Sequence, residues 1–346
     1  MTMLDTAIVG MGKWGRTLVD SVQGKNSFEG ASDSDLRAAP SGHLAPAGLR
    51  FVAGCTGRPE RAADWAARQG IRILPDFAAV LADPAVKAVV IASPHQMHAE
   101  QVMAAARAGK HVFIEKPFTM TKASAEAAVA ACRAAGVVMA LGHNRRFLPA
   151  IAEMKAMLAD GRLGTLLHVE GQFSGPGAAG YTPGMWRANR AESPLGGMGG
   201  MGIHMVDMFI NLAGRIAEVT VQSHARVLDN GLDDTTAGLF RFESGATANF
   251  ATLALAPRFW RVGLFGTDAW AVLHGHESLT VCPRDGTPET RMFPVTDIEA
   301  AELTAFATAV AGGAPYPLPL EEAIHGVAVY EAMIGAAASG STYRVA

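Results

Sequence analysis

Glu115 and Lys116 stand side by side where the run His111-Val112-Phe113-Ile114 meets Pro117. A lysine serves as a proton donor or acceptor once its surroundings bring its charged and neutral forms close in energy, and an adjacent carboxylate can position it. Proline cannot donate to a sheet ladder and turns the residue before it away from helix, so the run reads as a strand that stops near Lys116. In an open parallel sheet, ligands collect at the carboxyl ends of the strands. Lys116 is then expected at the mouth of a cleft, with Glu115 beside it. A solvated Glu-Lys pair in an ordinary loop has the same local sequence, and what separates the two readings lies upstream.

The upstream signal is Gly10-Met11-Gly12-Lys13-Trp14-Gly15, between the apolar strand Thr6-Ala7-Ile8-Val9 and an amphipathic run from Arg16 to Val22. In that setting GxGxxG predicts dinucleotide binding: Gly10 for the tight turn, Gly12 for close approach of a pyrophosphate, Gly15 for helix–strand packing. The helix start adds free N–H groups and a positive dipole end, and Lys13 and Trp14 join the candidate cofactor contacts. Residues 24–48 are rich in Ser, Asp, Pro and Gly, with little periodicity, and read as an inserted surface loop. The second strand, 50–55, ends in Thr56-Gly57-Arg58. An acid commonly holds the ribose 2′-hydroxyl of NAD at this point, whereas a hydroxyl and a guanidinium suit a 2′-phosphate. NADP is therefore the preferred cofactor and NAD the alternative. Arg58 also reads as part of the solvated first turn of the next helix.

The elements that must carry these groups alternate. A helix over 60–69, a strand over 70–74, a short helix over 77–81 and a buried strand over 86–92 lead to Ser93-Pro94-His95-Gln96-Met97-His98. A helix to Gly109, the Lys116 strand, a helix over 123–135 and a strand over 137–141 follow. This alternation predicts a doubly wound parallel sheet. Next, Gly142-His143-Asn144-Arg145-Arg146-Phe147 gathers donors at a strand end, suited to a hydroxyl-rich or anionic ligand, with salt bridging as the competing use. A helix over 149–160 and a strand over 166–173 come before a loop, 175–193, that carries Tyr181, Trp186 and Arg187. Trp186 reads as structural and Arg187 as a substrate contact.

A glycine-rich run, 196–202, opens a helix with His204 and Asp207 on one side. Taken alone, His204 reads as a core residue. Strands over 217–227, 235–242, 247–254, 260–265 and 270–273 predict an antiparallel meander with one face on helices. His274 and His276 would share a strand face, but no third ligand sits near, so no metal site is expected. Helices over 297–310 and 320–338 close the chain.

A length of 346 residues favours two domains, divided here as 1–146 and 147–346. A hydrophobic fraction of 49% with 18% charged residues describes an ordinary globular chain. The net charge of −3, without a basic run at either end, argues against nucleic acid or membrane as partner. No apolar stretch spans a bilayer, no signal-peptide pattern opens the chain, and Cys55, Cys132 and Cys282 are scattered and unpaired. The expectation is a cytoplasmic protein.

The glycine motif, Ser93-Pro94-His95-Gln96-Met97-His98, Ala108-Gly109-Lys110-His111-Val112 and Glu115-Lys116-Pro117 occur in an order and spacing that resemble the glucose–fructose oxidoreductase / inositol dehydrogenase / MocA family of nicotinamide-dependent oxidoreductases. The resemblance implies a Rossmann domain followed by an α/β domain whose large, mostly antiparallel sheet commonly mediates assembly into a homodimer or homotetramer. It implies that Lys116 is the catalytic lysine, with Glu115 by the nicotinamide ribose and Ser93, Pro94 and His98 on the nicotinamide side. It further implies that His143 and Asn144 border the active site and that His204 faces the lysine. Many dehydrogenases of that family carry an aspartate four residues before this histidine, where this chain has Gly200. The implied activity is hydride transfer between NAD(P) and a hydroxyl or carbonyl of a sugar, cyclitol or dihydrodiol-like substrate. The alternatives are a non-catalytic cofactor-sensing regulator and a redox-assisted lyase or glycosidase that retains its NAD.

Overall fold

The structure, a computed structural model, describes residues 3–24, 48–182 and 184–346. The inserted loop expected at 24–48 lies outside them except for its two end residues. The chain forms two compact units, one of residues 1–119, 123–144 and 295–320, the other of 120–122, 145–294 and 321–346.

In the first unit, β1 (Leu4–Val9), α1 (Lys13–Gln23), β2 (Leu49–Cys55), α2 (Ala63–Arg68), β3 (Arg72–Ile73), α3 (Phe77–Ala82), β4 (Ala88–Ile91), α4 (His98–Arg107), β5 (His111–Glu115), α5 (Lys122–Ala134) and β6 (Met139–Gly142) alternate as expected. The sheet is parallel throughout, in the order β3-β2-β1-β4-β5-β6. All four residues of β4 are buried, which a parallel strand covered on both faces requires. The helix expected from Glu60 begins instead as a 3-10 turn, Pro59–Arg61, before α2.

The polypeptide also comes back to this unit. α8 (Ile298–Val310) packs on α1 and on the sheet, with Leu303 and Phe306 fully buried. The Phe306 ring meets Phe113 of β5 edge-on at 5.8 Å. A division at residue 146 leaves this helix in the second half. Its periodicity marks a helix but carries nothing about which sheet the helix covers.

The second unit holds α6 (Pro149–Ala159), β7 (Leu166–Ser174), α7 (Gly202–Ala213), β8 (Ile216–His224), β9 (Thr235–Phe242), β10 (Thr247–Leu253), β11 (Phe259–Gly266), β12 (Ala269–His274), β13 (Ser278–Pro283), β14 (Glu289–Met292), α9 (Leu320–Ser339) and β15 (Tyr343–Arg344). Its nine strands run β14-β13-β12-β11-β7-β10-β9-β8-β15, antiparallel except where β7 meets β10. α7 lies against β7, and Gly171 leaves room for it: a Cβ there would stand 2.7 Å from the Phe209 ring. On the other face Leu239 of β9 is 63% exposed.

The expected pairing of His274 with His276 on one strand does not form. β12 ends at His274, Gly275 turns the chain at φ 60°, and His276 packs edge-on against Trp260 at 5.3 Å. Among the described residues no cluster of His, Cys, Asp and Glu could hold a metal ion, and no helix is long and apolar enough to cross a membrane.

Candidate active site

Because β1, β2, β4, β5 and β6 run the same way, the segments that follow them emerge on one edge of the first unit. Strand order reverses between β1 and β4, the position where such sheets bind ligands. The glycine motif leaves β1 here. Gly10 adopts φ 96°, and a Cβ on it would stand 2.6 Å from the Ala92 carbonyl oxygen, so the turn after β1 lies directly on the exit of β4. A Cβ on Gly15 would fall on the Gly10 carbonyl. At Gly12, by contrast, a Cβ meets nothing within 4 Å. Gly12 is the N-cap of α1 and offers no side-chain cap, and no acid occupies the first turn of the helix. Uncapped N–H groups, a positive dipole end and open space above the middle glycine suit a pyrophosphate, and the residues present fit a dinucleotide.

Thr56 and Arg58 follow β2 on the same edge. Arg58 is exposed, and among the described residues its side chain makes no hydrogen bond or ion pair. A carboxylate does approach the end of this strand from elsewhere. Together with burial, Asp76 pushes the Cys55 thiol up to about 11. That carboxylate is committed as N-cap of α3, accepting from the Ala79 N–H at 2.8 Å.

The segment after β4 is fastened from behind. The Ser93 hydroxyl donates to Gln101 Oε1 at 2.5 Å. His98 is fully buried, with Nδ1 2.8 Å from the Pro117 carbonyl oxygen and Nε2 3.0 Å from that of Ser93. Burial pushes this imidazole's pKa down, the Lys116 charge adds to the effect, and the backbone hydrogen bonds oppose it. A neutral ring donates to only one of the two carbonyls. His98 thus ties the loop after β4 to the residue after Lys116, and presents no free face to a ligand.

Glu115 ends β5 at 3% exposure, and its Oε2 accepts the Lys116 backbone N–H at 3.1 Å. Burial pushes its pKa up to about 6; the Lys116 charge, the Trp14 indole and that backbone N–H pull it down, and Glu299 raises it further. Trp14 bears on Glu115 without the geometry of a full hydrogen bond, and Trp14 Nε1 and Glu115 Oε1 are both buried without one. Lys116 Nζ lies 5.9 Å from the centre of the Trp14 ring. The glycine motif and the Glu-Lys pair, separated by about a hundred residues of sequence, therefore meet at one indole. Beyond β6, His143 and Asn144 are both buried, and Asn144 Nδ2 donates to Glu299 Oε1 at 2.9 Å.

In the second unit, His204 lies in the first turn of α7 at 2% exposure. Arg145 Nη1 is 3.0 Å from its Nε2. A guanidinium only donates, so Nε2 accepts and the ring proton of a neutral His204 sits on Nδ1. Phe173 of β7 supports both partners, with its ring 4.9 Å from the Arg145 guanidinium carbon and 5.9 Å from the His204 ring centre. Arg146 points elsewhere, into a buried ion pair with Asp207 at 2.8 Å and Glu322 at 2.7 Å. Burial alone would lower its pKa, and the two carboxylates more than reverse this. Salt bridging therefore accounts for Arg146, while Arg145 serves the histidine. Arg187 is exposed and stacks on Trp186 at 4.1 Å. A Cβ at Gly200 meets only the Gly197 carbonyl, at 3.9 Å, so no crowding excludes a side chain there.

Two participants escape a reading of the sequence. Phe173 is a strand residue whose role appears only once Arg145 lies over it. Glu299, in the first turn of α8, reads as an ordinary acid favoured by the helix dipole. Nothing local announces that it is buried beside Asn144.

Residues 4–143 match the model described as "Oxidoreductase family, NAD-binding Rossmann fold", and residues 151–272 match the GFO/IDH/MocA C-terminal domain. The chain is 30% identical over 297 residues to 1,5-anhydro-D-fructose reductase of Ensifer adhaerens, spanning 83% of this chain and 88% of that one. It is 28% identical over 278 residues to D-xylose 1-dehydrogenase (NADP(+)) 2 of Haloferax volcanii, spanning 78% and 83%. A solved levoglucosan dehydrogenase in complex with NADH and L-sorbose superposes with a TM-score of 0.85 at 22% identity, over the full length of both chains. With the strand order, the glycine turn and both domain matches in agreement, the chain belongs to the GFO/IDH/MocA family of NAD(P)-dependent oxidoreductases acting on sugars and cyclitols.

Proposed function

We propose that this protein transfers hydride between NADP and a secondary or hemiacetal hydroxyl of a polyhydroxylated substrate, with Lys116 as the acid/base. The observation that carries the proposal is the convergence of Trp14, from the glycine motif, with Glu115 and Lys116. The cofactor, when bound, supplies the hydride acceptor. Gly10, Gly12 and Gly15, with Lys13 and Trp14, form its cradle, and Ser93, Pro94 and Glu115 flank its nicotinamide end. Lys116 takes the proton from the substrate hydroxyl during oxidation and returns it during reduction. His204, fixed by Arg145 with its proton on Nδ1, orients the substrate by donation. His143 and Arg187 contribute to substrate binding, and Asn144 acts through Glu299. His98 serves the cofactor indirectly, by holding the loop that carries Ser93 and Pro94. The relatives' names as reductase and dehydrogenase favour net redox turnover over a regulator or a lyase.

Exposed Arg58 beside Thr56 supports NADP over NAD. Titration with NADPH and NADH, followed by reduced-nicotinamide fluorescence, should show tighter NADPH binding that is lost in Arg58→Ala. Equal affinities in the unchanged protein would return NAD to first place. With NADP⁺ and a panel of sugars and cyclitols, Lys116→Met should lower kcat by about 10²–10⁴ while leaving NADPH binding intact. Undiminished turnover in that variant removes Lys116 from the chemistry.

A further inference from the structure

The segment that presents Thr56 and Arg58 has little regular structure of its own. Residues 57–61 are all exposed, and the chain after β2 makes one 3-10 turn, in which the Arg58 and Pro59 carbonyls accept the N–H groups of Arg61 and Ala62 at 3.1 and 3.0 Å. Both ends of this segment are fastened to the glycine motif. At its entry the Cys55 carbonyl accepts the Gly10 N–H at 2.9 Å. At its exit Arg16, early in α1, donates through Nη2 to the Arg61 carbonyl at 2.5 Å. The same guanidinium donates through Nε to the carbonyl of Met11, the residue between Gly10 and Gly12, at 3.1 Å. Its carbon stands 5.4 Å from the centre of the Trp65 ring. Trp65 is fixed in turn: 4% exposed, it donates through Nε1 to Asp20 Oδ1 at 3.1 Å, and Gln69 Nε2 donates to that oxygen at 2.8 Å. Arg16 and Asp20, one turn apart on α1, thus hold α2 and the turn before it against the helix that opens the nucleotide site. All of these residues belong to the first unit.

We infer that Arg16 is a positioning residue for the cofactor: with one guanidinium on the Met11 and Arg61 carbonyls, it fixes the separation between the turn that takes the pyrophosphate and the segment that presents Arg58 to the ribose 2′ position. A guanidinium is a planar fork that reaches two acceptors at once, at set angles, and both hydrogen bonds here carry its charge. A ligand gripped at two linked points binds tightly only when the protein keeps those points at the spacing the ligand spans. NADPH is such a ligand, because its pyrophosphate and its 2′-phosphate hang on the same ribose. NADH engages the turn without a second phosphate and depends less on the spacing. Arg16 thereby acts on the choice between the two cofactors through Arg58. This rests on the reading of Arg58 as the 2′-phosphate contact, but the bridge itself can be tested without any cofactor.

The test is a titration of the full chain with NADPH and with NADH, followed by reduced-nicotinamide fluorescence. Arg16→Met should weaken NADPH binding about tenfold more than NADH binding, the size expected for losing a charged hydrogen bond. Arg16→Lys keeps the charge and most of the stem over Trp65, but a single ammonium does not span both carbonyls as the fork does. It should lose the same preference, and it carries the expectation alone if Arg16→Met is poorly folded by circular dichroism. With Arg58→Ala already in place, Arg16→Met should cost NADPH no more than it costs NADH, since the second contact has gone. Without cofactor, hydrogen exchange reads the bridge directly: the Arg61 and Ala62 amides should exchange faster in Arg16→Lys, while those of β1 and β4 keep their protection.

Equal losses for NADPH and NADH in the Arg16 variants show a purely structural residue and overturn the proposal. Full NADPH preference in Arg16→Lys overturns it as well, because charge without the fork would then suffice. So do losses that simply add in the double variant. If the unchanged protein binds the two cofactors alike, the reading of Arg58 fails; faster exchange at Arg61 and Ala62 then leaves the bridge between the two segments standing, and unchanged exchange removes it too.

Discussion

Gly12 and Gly15 are interchangeable letters in a motif, but the structure gives them different duties. Gly12 has open space where a Cβ would go and an ordinary backbone conformation at φ −74°. Gly12→Ala should therefore leave stability within about 0.5 kcal/mol of the unchanged protein by urea unfolding, and weaken NADPH binding in the same fluorescence titration. Gly15→Ala drives its methyl into the Gly10 carbonyl and should lose stability as well as affinity. If Gly12→Ala binds nucleotide normally, the pyrophosphate does not lie where the motif suggests. At this scale the sequence is informative where a residue type has few uses. The sharp turn at Gly10, the close packing at Gly15 and the strand end before the Lys-Pro step are legible from spacing and backbone chemistry alone. It is poor where a common residue acquires a role from its neighbours. Asn144 looks like a ligand-facing donor and is spent on Glu299, and His98 looks like a contact but braces two backbone carbonyls.

Helices and strands were readable to the extent that their burial is periodic. β9 begins and ends at the residues its alternation indicates, Thr235 and Phe242. β14 was invisible because all four of its residues are exposed and no period-two pattern exists to be seen. The attachment of one element to another leaves even less trace, and α9 illustrates how it is made. Its His325, 3% exposed, accepts the backbone N–H of Ile216 in β8 at 2.9 Å through Nε2. Burial first, and then the Arg215 charge, push this imidazole from its ordinary 6.5 down to about 4. Between those values the unfolded chain takes up a proton that the folded one refuses. Stability should therefore fall as pH drops through that window and level off below it, by on the order of 3 kcal/mol. His325→Gln, which still offers an acceptor to Ile216, should flatten this part of the urea midpoint against pH. The same acid loss in the variant would place its origin at another group.

For the molecule as a whole, composition indicated a globular chain large enough for two cores, and the alternation of elements indicated which half holds the parallel sheet. Assembly leaves a weaker trace. Leu239 at 63% and Phe259 at 42% exposure leave apolar surface on strands of the large sheet, and burial of such surface commonly drives association. Sedimentation equilibrium is expected to give a homodimer or homotetramer, and Leu239→Glu to shift the population toward single chains. A unchanged protein that sediments as one chain would leave that surface without this use. The return of α8 to the first unit has a consequence for how the protein is made. Translation delivers the glycine turn early and Glu299 and Phe306 only after nearly all of the second unit has been synthesised. The nucleotide-binding unit, first to be encoded, is therefore not complete until residue 320 has been added. A nascent chain stalled before residue 295 carries the whole GxGxxG and Glu-Lys-Pro apparatus while still missing a wall of its core, so its ability to hold a nicotinamide should arrive late, with α8, rather than when the motif itself leaves the ribosome.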